Sequence, residues 1–177
     1  MKWISRRQWL RAISGAISAL FLVPGVFAGG HKEHPYRYSV VDVSVSLAVG
    51  TVRTPEFSVA SHGYWIMIQV EKPLPFEQME CMMGVTISPL EKLKYCSNND
   101  PLLQADWTVW DGDNIVDKRT IPNRCACKFE NKHIYKFLGS FQGEAGKKYV
   151  VEVKFTKDGT PLNVANPHLI VTKIGDE

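Results

Sequence analysis

The sequence predicts an all-β domain: an antiparallel two-sheet sandwich of about seven or eight short strands with one short helical excursion. Three observations predict it. Val41, Val43, Val45, Leu47 and Val49 alternate with Asp42, Ser44, Ser46 and Ala48, the period of a strand with one buried face. Turn-forming residues punctuate the chain at Ser61-His62-Gly63, Asp111-Gly112 and Lys157-Asp158-Gly159-Thr160-Pro161. Near the C-terminus Gly143, Gly146, Lys147 and Lys148 lead into Tyr149, after which Val151, Val153 and Phe155 point one way and Glu152 and Lys154 the other.

Taken in order, residues 1–28 read as an export signal. A basic head with Lys2, Arg6, Arg7 and Arg11 precedes an apolar run from Ala12 to Phe27, and Val26-Phe27-Ala28 supplies small residues at the −3 and −1 positions of a cut after Ala28. The run predicts a signal-peptide helix. Ser14, Gly15, Ser18 and Pro24 interrupt it, which disfavours a permanent span needing about 20 apolar residues. Ser5-Arg6-Arg7-Gln8-Trp9-Leu10-Arg11 resembles the twin-arginine export signal, with Trp9 where that family usually has Phe. The expected location is therefore the bacterial periplasm or the medium.

Removing the signal changes the electrostatics. The 177-residue chain has 21 Lys and Arg against 18 Asp and Glu. Four of the basic residues and none of the acids fall within 1–28, which leaves 17 against 18. Such a balance gives no electrostatic case for a nucleic-acid partner, nor for an anionic membrane once the signal is cleaved.

Residues 29–35 form a short polar lead, and a single sandwich domain is expected over 36–177. After the first strand, residues 50–56 break the pattern and Phe57-Ser58-Val59-Ala60 resumes it. Tyr64-Trp65-Ile66-Met67-Ile68-Gln69-Val70 is apolar on both faces, which places it centrally in a sheet. Lys72-Pro73-Leu74-Pro75 stops that strand because proline has no N–H for the ladder. Residues 76–84 then predict a turn or two of helix closed by Gly84. Pro89, Pro101 and Ser97-Asn98-Asn99-Asp100 mark residues 85–106 as an excursion, the kind of loop that carries function.

Trp107-Thr108-Val109 and Ile115-Val116 flank the Asp111-Gly112 hairpin signal. Residues 121–132 read as irregular. Ile134-Tyr135-Lys136-Phe137-Leu138 begins the strand before Tyr149, and His168-Leu169-Ile170-Val171-Thr172-Lys173-Ile174 ends the chain as a strand. A turn followed at once by a strand-opening Tyr149 has the form of a tyrosine corner, and Trp107 has the position of a core tryptophan; with them the predicted sandwich is immunoglobulin-like. Trp65 is expected in the core beside Trp107.

Four cysteines remain after the signal: Cys81, Cys96, Cys125 and Cys127. An even count in an oxidising compartment predicts disulfides. Only Ala126 separates Cys125 from Cys127, and a bridge across one residue is strained. The expectation is two bridges tying Cys81 and Cys96 to Cys125 and Cys127, with either crossing open. A four-thiolate zinc site would need the two-residue spacings that are absent.

Further chemistry is sparse. A cut after Ala28 exposes Gly29-Gly30-His31, whose amine, amides and imidazole suit square-planar Cu(II), with His34 nearby. Met79, Cys81, Met82 and Met83 could hold Cu(I), or simply fill core. Copper is thus the alternative cofactor, and none is the first expectation. Asp111, Asp113 and Asp117 open like a calcium loop but lack its glycine and glutamate, so a hairpin turn explains them. No nucleophile elbow, Ser-x-x-Lys, His-Glu-x-x-His or phosphate-cradling loop is present, and no enzymatic activity is expected. Trp110, beside the turn, is the aromatic placed to stack on a sugar or anchor a partner.

Tyr64-Trp65-Ile66-Met67-Ile68, Glu80-Cys81-Met82-Met83-Gly84, Asp158-Gly159-Thr160-Pro161-Leu162 and Asn166-Pro167 resemble an uncharacterised family of small exported bacterial β-sandwich proteins. The resemblance implies the sandwich and export and supplies no catalytic residues. By analogy with small exported immunity proteins, the expected partner is another periplasmic or secreted protein. Its expected surface is the excursion from Phe76 to Asp106 together with residues 121–132, and the expected contact residues are Phe76, Asn98, Asn99, Asp100 and Trp110.

Overall fold

A computed structural model of the chain describes residues 39–84, 96, 100–121, 127–130 and 132–175. The chain divides into two units, Met1–Glu33 and His34–Glu177, and all the described residues belong to the second. The export signal, His31, His34, Asn98, Asn99 and Cys125 lie outside the described residues.

Two five-stranded antiparallel sheets form the sandwich. The strands are β1 (Ser39–Ser44), β2 (Gly50–Arg53), β3 (Phe57–Ser58), β4 (Gly63–Glu71), β5 (Ala105–Asp111), β6 (Asn114–Thr120), β7 (Cys127–Phe129), β8 (His133–Gln142), β9 (Lys148–Phe155) and β10 (His168–Lys173). The first sheet runs β1-β10-β4-β8-β7, and the second runs β2-β9-β5-β6 with β3 also on β9. The all-β expectation holds, with more strands than expected. Residues 50–56 do not simply break the pattern, because Gly50–Arg53 pairs with β9 as β2. Within 121–132, Cys127–Phe129 pairs with β8 as β7. Short edge strands carry too few alternating residues to be read from sequence.

Period-two alternation sets the core. Ile66, Ile68 and Val70 from the first sheet meet Trp107, Val109, Val151, Val153 and Phe155 from the second. β4 lies between β10 and β8. Its outward residue Met67 joins Tyr135 and Ile170 in a second, smaller buried cluster. Trp65 belongs to that cluster and not to the sandwich core, stacking edge-on against Phe137 at 5.0 Å. The reason is the alternation itself: with Tyr64 and Ile66 inward, Trp65 must face outward.

Trp107 is 1% exposed and its Nε1–H donates to the Leu138 carbonyl at 2.8 Å. The β4–β8 register jumps from Ile66↔Gly139 to Met67↔Phe137, so Leu138 is the extra residue of a bulge. Beside it, a Cβ on Gly139 would fall 2.6 Å from Trp107 Cε2. Glycine is required there by close approach of ring and backbone.

The tyrosine corner is present. Tyr149 Oη accepts the Glu144 N–H at 3.1 Å. A second one was not foreseen: Tyr64 Oη accepts the Ala60 N–H at 3.0 Å at the start of β4. Both rings pack on Phe141, with centroids 5.6 Å from Tyr64 and 5.3 Å from Tyr149.

The expected helix is α1 (Phe76–Met83). Pro75 accepts the N–H groups of Gln78 and Met79 at its start, and Gly84 closes it at φ 76°. Met79, Met82 and Met83 fall on one helical stripe and enter the core. Three sulfurs of the sulfur-rich stretch, those of Met79, Met82 and Met83, thus belong to core side chains.

Candidate functional site

Alternation along β5 sends Trp107 and Val109 inward, so Thr108 and Trp110 stand on the outer face of the second sheet. Trp110 lies opposite Val150 of β9 and Ile115 of β6. The β5–β6 register jumps between Val109 and Trp110, leaving Val116 as the extra residue of a bulge in β6. Ile115 is 54% exposed and Val116 43%. A tryptophan, an isoleucine and a valine thus adjoin at the hairpin end of this sheet.

Charged residues adjoin Trp110. Arg53 stacks over the Trp110 ring, 5.8 Å from its centroid, while its Nε lies 3.4 Å from Glu152 Oε2. Lys147 Nζ lies 3.2 Å from Asp111 Oδ2 and 3.2 Å from Glu144 Oε2. The hydrogen bond to Asp111, followed by that to Glu144, raises the Lys147 pKa above its ordinary 10.5. Arg119 lies 3.3 Å from Asp117, but these two stand opposite Trp107 and Val109 and so on the other face of β6 from Ile115. The indole Nε1 of Trp110 is buried without a hydrogen-bond partner.

The other expected contact residues lie elsewhere. Phe76 opens α1 and stacks edge-on against Phe129 of β7 at 4.9 Å, with Lys72 Nζ 5.7 Å from its ring centroid. It packs at the edge of the first sheet, whereas Trp110 stands on the outer face of the second. Asp100 is half-buried at the foot of the excursion. Sequence reasoning singled out Trp110 without Arg53 and Ile115, which the fold brings beside it. Two adjacent apolar residues in a hairpin strand require one to face outward, and that signal was readable.

The foot of the excursion is closed by three devices. Cys81 is bonded to Cys96, with Cα atoms 5.0 Å apart. This corrects the expected crossing of these two cysteines to Cys125 and Cys127. The helix ends two residues after Cys81 and the chain comes back beside it, so Cys96 meets the partner within its own excursion. Leu102 N–H donates to Met82 O at 2.8 Å. Lys136, fully buried on β8, donates from Nζ to Met83 O at 2.6 Å and to Leu103 O at 3.0 Å. A buried lysine head is tolerated where such acceptors satisfy it.

No family model matches the chain, and no curated protein matches it. A crystal structure of a protein from Sulfurospirillum deleyianum is similar, with a TM-score of 0.53 over 76% of this chain and 97% of that one, at 8% identity. The likeness shows the fold. Among the described residues no helix is long and apolar enough to cross a membrane.

Proposed function

We propose that the protein is a non-catalytic exported sandwich, working in the periplasm or outside the cell, that binds another protein through the Trp110 surface as an inhibitor or immunity protein. One observation carries the reading: Ile115 and Val116 remain 54% and 43% exposed beside Trp110, with Arg53 held over the indole. Trp and Arg are the residue types that dominate binding energy at protein interfaces, and a rigid hairpin presents them at low entropic cost. Branched aliphatic neighbours favour a protein partner over a sugar, because they offer no flat face for a pyranose ring.

Immobilised protein incubated with periplasmic extract tests the reading. It predicts one stoichiometric partner, held at least about 30-fold more weakly by Trp110→Ala. Retention of nothing, or a partner retained equally by Trp110→Ala and Ile115→Asp, would contradict it. Binding of an oligosaccharide in place of a protein would move the assignment to a carbohydrate module.

A further inference from the structure

At the foot of the excursion, Cys81 Sγ, Cys96 Sγ and an Asp100 carboxylate oxygen all lie within 4.8 Å of one another. Cys81 is buried, whereas Cys96 and Asp100 are half-buried. The stretches that carry Cys81 and Asp100 are also joined by hydrogen bonds. Met82, next to Cys81, accepts the N–H of Leu102, two residues beyond Asp100, at 2.8 Å. Lys136 fastens Met83 and Leu103 through their carbonyls. Breaking the sulfur bond therefore leaves the backbone beside Cys81 tied to the backbone beyond Asp100.

We propose that this cluster is a redox-gated metal site: a disulfide when oxidised and, when reduced, a site for a borderline-soft divalent cation such as Zn²⁺, with Cys81, Cys96 and Asp100 as its protein ligands. A dithiol supplies the two electrons and two protons. The Cys81–Cys96 bond breaks, two thiols form, and the dithiol closes to its own disulfide. Zn²⁺ then displaces both thiol protons to solvent and binds two thiolates and one carboxylate, with water as fourth ligand.

The geometry suits the ion. With Zn–S about 2.3 Å and Zn–O about 2.0–2.2 Å, donors on one tetrahedral ion stand about 3.5–3.8 Å apart. The three donor atoms lie within 4.8 Å of one another, about 1 Å wider than that spacing, and the two sulfurs, bonded in the oxidised form, move apart when reduced. Two thiolates and a carboxylate are a donor set that zinc accepts, and Cys96 and Asp100 are half-buried, on the side open to solvent. The foot of the excursion would thus stay closed in both redox states, by a covalent bond in one and an ion in the other.

The test uses purified protein reduced with a phosphine and titrated with Co²⁺ as an optical stand-in, followed by Zn²⁺. The expected result is one Co²⁺ per chain, with thiolate charge-transfer absorption and tetrahedral visible bands that Zn²⁺ erases, and neither in the oxidised protein. Cys96→Ser abolishes the bands, Asp100→Asn weakens binding about tenfold or more, and a Cys125→Ser, Cys127→Ser double variant retains them. Reduced protein that keeps its β circular dichroism but shows no thiolate band would overturn the proposal, as would loss of that dichroism on reduction. Bands that survive Cys96→Ser or vanish in the double variant would also overturn it. Unchanged affinity in Asp100→Asn would remove Asp100 from the site and with it the three-ligand assignment.

Discussion

The indole N–H of Trp107 donates to the carbonyl of Leu138 at 2.8 Å, a hydrogen bond from one sheet to a bulge in the other. Replacing Trp107 with Phe leaves that carbonyl unsatisfied and opens a void, at a cost of about 2–4 kcal/mol. Gly139→Ala acts from the opposite side by forcing ring and backbone apart, costing about 1–3 kcal/mol. Urea denaturation measures both. Because the two residues touch, the double variant should depart from additivity.

Tyr149 and Tyr64 each accept a backbone N–H through their phenol oxygen, at 3.1 Å and 3.0 Å. Tyr149→Phe and Tyr64→Phe should each destabilise by about 0.5–1.5 kcal/mol, the worth of a partly buried hydrogen bond. Hydrogen exchange supplies the local readout. The Glu144 amide should exchange faster in the first variant and the Ala60 amide in the second, each without effect on the other.

Lys136→Met keeps the length of the side chain and removes both donated hydrogen bonds, to Met83 O and Leu103 O. Two buried carbonyls losing their partner should cost about 2–4 kcal/mol. The same variant should speed exchange at the Leu102 amide, whose bond to Met82 O lies next to the severed contacts. An unchanged rate there would mean that Lys136 does not fasten the foot of the excursion.

Asp158 accepts a hydrogen bond from the Thr160 hydroxyl and another from the Thr160 backbone N–H at 3.0 Å. Together these hold its carboxyl below the ordinary value of 3.8, the hydroxyl being the larger cause. A depressed carboxyl pKa favours the folded state above the unfolded-state pKa, and that contribution disappears as pH falls through the folded value. Carbon-detected titration of Asp158 should move upward in Thr160→Val, though not fully to 3.8, because the backbone donor remains.

Much of the architecture was legible because burial on one face forces a period of two. Val151, Val153 and Phe155 announced the core face of β9, and the two-faced apolar run before Pro73 announced the central place of β4. The same rule could have placed Trp65 outward, since its neighbours Tyr64 and Ile66 face in. Tyr149 was readable from its turn, whereas Tyr64 has the same bond from a turn of different composition, Ser61-His62-Gly63. Disulfide pairing is set by how the chain returns, which spacing alone does not encode. Trp110 was visible as an aromatic at a turn, but Arg53 reaches it from β2 across β9, a relation that exists only after strand pairing.

The most direct measurement of the central claim is site-specific photocrosslinking in living cells. A photoreactive residue at position 115, beside Trp110, is compared with one at Val164, which is 70% exposed in the Thr160–Ala165 turn. The account predicts one discrete protein adduct in the exported fraction from position 115, absent from position 164 and lost when Trp110→Ala is added. No adduct from position 115, or equal adducts from both positions, would contradict it.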